Sequence, residues 1–515
     1  MFNANTLLRL LLPYINDRND LYGMDPSIGL RDPFSPDLGR KKLVIEFSSP
    51  NIGSKVESKH LRSTTHGACI ANLYKNMGWD VVKVNYLRDW GTKMGLLGVG
   101  WEKFGSEEQF QADPIPHLLS VYSKVDELFQ LEVAARKVVL DYGQDAIAIE
   151  NQGVFAERNA FFKRIEDGDE AALALCKRFR DVSIEYYNKL YVRLNVSFDE
   201  YSGESQVSPE AMDEVEEMLK SKGISEESDG SWIVDFRKHG LNQGKVLIRT
   251  RNNNRAYQLR DLAAVLDRSR KYSFDKMIYI VADDYNQHFQ HLVKILELLN
   301  MSDLAHKLQY VRFNKGSQTA HGHMPDDVLN QCQNAMHESL KANPDKAALL
   351  DDTEHTVTAL GISALLAQEL SLKRERPSHY DFNFDKMTSF ESGTGPDLQY
   401  WYVRLCSMLK ATSFDLSNFS DEDFTPMEEE MYLYNELLRI LAQYPDITSS
   451  AYKSLKPAIV LRYLAEITDQ LSFCIETEKG PEESSLTPGE AALLESTRQV
   501  LENGMKLLGI MPVSR

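Results

Sequence analysis

Glu46 sits inside the apolar run of "KLVIEFSS", so its carboxylate either pairs inside a core or faces a ligand. The loop that follows, "SSPNIGSKVESKHLRST" (Ser48 to Thr64), sets hydroxyls (Ser49, Ser58), an amide (Asn51), a carboxylate (Glu57), an ammonium (Lys59) and an imidazole (His60) ahead of a helix. Such side chains can act as general acids and bases or carry an acyl group. His60 has a second reading as a cap for the helix at Leu61, and Glu57 as an ordinary loop residue. Further along, "NRAYQLRDLAA" and "VADDYNQH" supply Tyr257, Asp261 and Tyr285. The five cysteines (Cys69, Cys176, Cys332, Cys406, Cys474) stand alone, with no CxxC pair and no zinc-ligand spacing. Each is expected to be a small core residue, and no metal or disulfide framework is indicated.

The elements that must position these groups alternate strand and helix from Lys42, the pattern of a parallel α/β sheet. "KLVIEFSS" and "DVVKVNYL" read as strands. Between them "HLRSTTHGACIANLYKNMGW" reads as an amphipathic helix, with Cys69, Leu73 and Met77 on one face and Gly78 as its stop. "KMIYIVAD" and "HFQHLVKILELLNM" repeat the unit. A charged, mainly helical insertion from about Phe104 to Asn242 separates the two halves. That arrangement suits a split nucleotide-binding fold with its site at the C-terminal ends of the first and later strands. From Leu405 the pattern is purely helical ("YNELLRILAQYP", "PAIVLRYLAEITDQLSFCIE", "EAALLESTRQVLENGMKLLGI"), as in a bundle. "EKGPEESSLTPGE" reads as an exposed loop, and Tyr400 and Trp401 as core.

Length and charge bound the rest. The chain has 515 residues, 43% of them hydrophobic, enough for two or three cores. Its net charge of -18 argues against non-specific coating of nucleic acid, though a basic face can be local. No run is long and apolar enough to span a membrane, and the N-terminus lacks the marks of a signal peptide, so a cytoplasmic location is expected.

The blocks "VIEFSSPNI", "HLRST", "NYLRDWGTKMGLL", "YSGESQVS", "GISALLAQEL", "YDFNFDKMTSFESGTGPDLQYWYVRL" and "RQVLENGMKLLGI" strongly resemble arginyl-tRNA synthetase of the eukaryotic type, in the family's order and spacing. The resemblance implies an α/β, Rossmann-like class I catalytic domain (42–404) with a connective insertion (104–242), then an all-α anticodon-binding bundle (405–515). Residues 1–41 would be a short lead in place of the family's N-terminal additional domain.

The resemblance also sorts residues into retained and changed. Where the family has His-Ala-Gly-His, this chain has Glu57, Ser58, Lys59 and His60. Glu57 places an anion where the family has a donor to the ATP phosphates, and Lys59 fills space that glycine leaves open. The second signature, Met-Ser-Thr-Arg-Lys-Gly, aligns with Ser317 to Gly322, so its arginine and lysine become Ala320 and His321. The arginine pocket is kept: Glu46, Tyr257 and Asp261 match the acids and phenol that hold the guanidinium, a fork that suits paired acceptors. Asn51 and Ser49 match positions at the α-amino end. There Tyr285 replaces the family's glutamine.

An intact arginine pocket beside a damaged ATP site leads to an expectation of tRNA-dependent cyclodipeptide synthesis. Arginyl-tRNA and a second aminoacyl-tRNA would form a diketopiperazine without ATP or any cofactor. Glu57 and His60 would serve as base and acid, with Ser49 or Ser58 carrying an acyl group. Two alternatives stay open: a non-catalytic protein that binds arginine or tRNA, and a weak arginyl-tRNA synthetase. The expected partners are tRNA and neither DNA nor membrane, and the expected state is a monomer. "KRERPSH" (Lys373 to His379) reads as a tRNA contact or a solvated charged face.

Overall fold

A computed structural model describes residues 4–513 except 55, 252–253, 314–324, 351–352, 372–382, 413–423, 425–430 and 477–485. Five strands, β1 (Lys42–Glu46), β2 (Asp80–Leu87), β3 (Glu200–Gly203), β7 (Lys276–Ala282) and β8 (Leu308–Phe313), form a sheet in the order β3-β2-β1-β7-β8. Every pairing is parallel. The chain builds outward from β1 through β2 to β3, then returns to add β7 and β8 on the other side. The order therefore reverses between β1 and β7, and a crevice must open at their C-terminal ends. The small strands β4 (Glu226–Ser228), β5 (Ser231–Asp235) and β6 (Lys245–Arg249) form a separate antiparallel sheet; β4 and β5 lie in the segment read as helical insertion and β6 just beyond its end.

The strand β1 is apolar because it is covered on both faces. Leu43, Ile45 and Phe47 join one core, and Val44 joins another with Val84, Leu262 and Met277. Helix α2 (Ser58–Asn76) follows, and its predicted stripe of Cys69, Leu73 and Met77 is buried. It ends where Gly78 takes a φ of 77°, a conformation that suits glycine. Cys332 and Cys474 are buried like Cys69, whereas Cys176 and Cys406 are only half-buried.

Helices Gly395–Lys410, Met431–Ser454, Ala458–Ile475 and Pro488–Leu508 share one core, which includes Trp401, with Tyr400 packed against it. The helix that the sequence reading ends at Pro445 continues to Ser454. Proline has no N–H for the carbonyl of Leu441, and the Tyr22 hydroxyl donates to that carbonyl instead, at 2.8 Å. Tyr22 and helix α1 (Ala4–Arg18), with Leu8, Leu12 and Ile15 buried, thus form part of the bundle core.

Candidate active site

The switch-point crevice holds a cavity of about 310 Å³. Its walls include Glu46, Ser49 and Asn51 from the end of β1 and the following loop, and Lys59 and His60 from the start of α2. Tyr257 and Asp261 come from helix Tyr257–Tyr272, and Tyr285 follows β7. The cavity therefore brings together seven of the eight site residues expected from sequence.

The turn after β1 is held against its own preference. Ser48 and Ser49 have φ of 70° and 49°, a region that non-glycine residues seldom occupy. The Ser48 amide donates to Ser63 Oγ at 2.9 Å, and Ser63 Oγ donates to the Ile280 carbonyl of β7 at 3.0 Å. The Ser49 amide donates to Asn85 Oδ1 at 3.2 Å. Tyr191, from helix Glu170–Arg193 of the insertion, places its hydroxyl 2.7 Å from Ser48 Oγ.

Two acids in the cavity already have cationic or polar partners. Glu46 Oε2 lies 2.6 Å from Arg268 Nη1, and both side chains are about nine-tenths buried. Burial opposes the Arg268 charge, yet Glu46 and its neighbours hold the guanidinium above the usual arginine range. Glu46 is thus both a paired core carboxylate and a cavity wall. Asp261 Oδ2 lies 2.6 Å from His288 Nε2, which orients the carboxylate. Tyr285 accepts from Arg88 Nη1 at 2.6 Å, and that guanidinium stacks 4.3 Å from its ring centre. Tyr257, half-exposed at the rim, fits against Gly91. There a φ of 88° suits glycine, and a Cβ would lie 2.3 Å from the phenol oxygen.

At the altered loop, Glu57 is absent from the cavity wall, and its carboxylate lies 2.8 Å from Lys59 Nζ. The Glu57 amide donates to His60 Nδ1 at 3.0 Å, closing the first turn of α2. Burial, then the nearby Lys59, Arg88 and Lys93, hold His60 well below its usual pKa, so the ring is neutral and Nε2 keeps the proton. The second signature, Ser317 to Gly322, and "KRERPSH" lie outside the described residues.

The sequence reading gave no role to Arg88, Glu204, Arg268 and His288, although three of them fall inside the quoted blocks. Arg268 follows Asp261 by two helical turns, a spacing that places both on one face.

A family model described as tRNA synthetases class I (R), catalytic domain, matches residues 35–384, and the DALR anticodon binding domain matches 398–515. The chain is 38% identical to the cytoplasmic arginine–tRNA ligase of Saccharomyces cerevisiae, covering all of this chain and 81% of that protein. It belongs to the arginyl-tRNA synthetase family. The mitochondrial arginine–tRNA ligase of the same yeast is 35% identical over 92% of this chain and 72% of its own length. The arginyl-tRNA synthetase structure from Thermus thermophilus shares the fold, with a TM-score of 0.72 at 18% identity over 99% of this chain and 86% of that one.

These relatives correct the expectation of cyclodipeptide synthesis. They match over nearly the whole chain and are named as arginine–tRNA ligases. The second aminoacyl-tRNA falls with that reading. So do the roles given to Glu57 and His60 as base and acid and to Ser49 as acyl carrier, since each served peptide-bond formation. Relatives of both cytoplasmic and mitochondrial name match, so the family does not fix the compartment. Among the described residues no helix is long and apolar enough to cross a membrane.

Proposed function

We propose that the chain is a slow arginine–tRNA ligase: it binds L-arginine in the switch-point cavity, activates it with ATP and transfers it to tRNA. The observation that carries this reading is the convergence of Glu46, Tyr257 and Asp261 on one cavity, in a chain whose relatives are named for that reaction. The guanidinium goes to the acids and the phenol, where charge-assisted bonds are strongest. Asn51 and Ser49 face the α-amino end, with Tyr285 and Arg88 beside them. The arginine carboxylate attacks the α-phosphorus of ATP and displaces pyrophosphate; a terminal hydroxyl of tRNA then attacks the mixed anhydride and releases AMP.

The altered loop supports a slow step better than a lost one. Glu57 pairs its charge with Lys59 off the cavity wall, while His60 lines the cavity and its Nε2–H remains a donor for the phosphates. A missing transition-state donor typically costs about 10² to 10³ in rate.

The test is charging of total tRNA with radiolabelled arginine and ATP, by the wild type and by the Glu57→His, Lys59→Gly double variant. The expected result is slow charging by the wild type and a gain of about tenfold to a hundredfold in the variant. Arginine bound by both proteins with no charging by either would overturn the ligase reading and leave an arginine-binding protein.

A further inference from the structure

The cavity wall carries Lys59, Arg88 and Arg268. Lys59 lies 2.8 Å from Glu57, and Arg268 lies 2.6 Å from Glu46. Arg88 differs. Among the described residues no carboxylate comes within ion-pair reach of it, and its guanidinium makes one hydrogen bond, to the Tyr285 phenol at 2.6 Å. Most of its N–H donors are therefore uncommitted. Burial opposes the Arg88 charge, yet Tyr285, Glu204 and Asp261 hold the guanidinium above the usual arginine range.

The sheet builds this pair. Arg88 follows β2 and Tyr285 follows β7, the two strands that flank β1, so the side chains meet over the C-terminal end of β1. The Arg88 backbone is tied to the loop there: its amide donates to the Pro50 carbonyl at 3.2 Å, and its carbonyl accepts from the Ile52 amide at 3.4 Å. The guanidinium then lies 4.3 Å from the centre of the Tyr285 ring. Stacked on a ring and bonded to its hydroxyl, a guanidinium is held in one orientation before any ligand arrives. The phenol, having accepted from Arg88, still has its own O–H to donate.

We propose that Arg88, held by Tyr285, is an oxyanion clamp at the reacting end of the cavity, a contact for the carboxylate of bound arginine or for the α-phosphoryl group that joins it. The proposal rests on the arginine reading above and adds to it a binding residue, Arg88, and a positioning residue, Tyr285, at the position of the family's glutamine. The backbone bridge between Asn51 and Arg88 puts the guanidinium at the α-amino end of the ligand. The α-amino and α-carboxylate groups of arginine hang from one carbon, and a fixed cation repels the first and attracts the second. The carboxylate therefore turns to Arg88 and the Tyr285 hydroxyl, where it gains charge-assisted bonds from donors already in place. Agmatine, which is arginine without its carboxylate, keeps both cations and loses the clamp.

The test is calorimetric titration of the full chain with L-arginine and with agmatine, for the wild type and for Arg88→Met, alongside steady-state charging of total tRNA. The wild type is expected to bind L-arginine about thirtyfold more tightly than agmatine, and R88M to bind the two about equally. A preference kept in R88M, with an unchanged KM for arginine and a kcat about a hundredfold lower, would assign the clamp to the α-phosphoryl group. Preference and kcat both unchanged in R88M would overturn the clamp and leave the arginine reading standing. A wild type that binds neither ligand would overturn both. If R88M does not fold, Tyr285→Leu, which removes the ring and the hydroxyl that hold the guanidinium, decides by the same readouts: a lowered preference or kcat supports the clamp, and wild-type values overturn it.

Discussion

At the scale of single residues, the acids of the cavity are not interchangeable. Glu46 is paired with the Arg268 guanidinium, whereas Asp261 has the His288 imidazole as its partner and lines the cavity. Asp261→Asn is therefore expected to raise the dissociation constant for arginine by about thirtyfold, from the roughly 2 kcal/mol lost with one charge-assisted bond. Calorimetry with L-arginine checks this, and an unchanged constant would place the guanidinium elsewhere. Glu46 and Asp261 were legible from the family's spacing, because each sits at a matched position in a recognisable block. Their partners were not, since Arg268 and His288 acquire a role only when the helix and the β7 loop meet around the cavity.

At the scale of elements, the site depends on how β1 is joined to α2 and β7. Ser63 ties the turn after β1 to β7: its hydroxyl accepts from Ser48 and donates to Ile280, and the residue is 4% exposed. Ser63→Ala leaves a buried amide and a buried carbonyl short of a partner, so a loss of about 2 kcal/mol in stability is expected. The strained turn at Ser48 and Ser49 should relax as well, raising the KM for arginine. Chemical denaturation and steady-state charging test the two effects, and S63A with wild-type stability and KM would show that the turn holds itself. The sequence marked this segment as strand, loop and helix, but hydrophobic periodicity cannot reveal a serine that bridges two strands.

At the scale of the whole molecule, α1 and the segment after it are fastened to the bundle where a proline frees a carbonyl. Tyr22→Phe removes the donor to the Leu441 carbonyl and is expected to cost about 1 kcal/mol, read as a lower denaturation midpoint. No change would mean that the carbonyl finds another partner. Glu204, Glu369 and His60 are among the buried groups that shape the pH dependence. Burial first of all raises Glu204 to about 8 and Glu369 to about 7, while Arg62, 3.7 Å from Glu369, pulls the latter down. In the unfolded chain both ionise near 4.3. Above about pH 6.5 the folded state therefore binds more protons than the unfolded one, and stability falls as pH rises through 7 and 8. His60 acts in the opposite sense only below about 6.5, where the unfolded ring takes a proton that the buried one refuses. The Tm is expected to fall between about pH 6.5 and 8.5, with a shallower fall in Glu369→Gln; a Tm that rose across this window would contradict these buried acids.

The sequence by itself determined the architecture and the chemical character of the site. Alternating apolar strands and amphipathic helices encode a parallel sheet locally, and ordered motif spacing fixes which residues follow β1. The tertiary structure decided what each charge does. Glu57, an anion at the position of a phosphate donor, looks like an obstacle in one dimension; in three it pairs with Lys59 and leaves the cavity wall. Glu204 is one letter of a quoted block until the fold buries it in the cavity wall with Asp261. Charge is set by solvent exclusion and by neighbours brought from distant parts of the chain, and neither exists until the chain has folded.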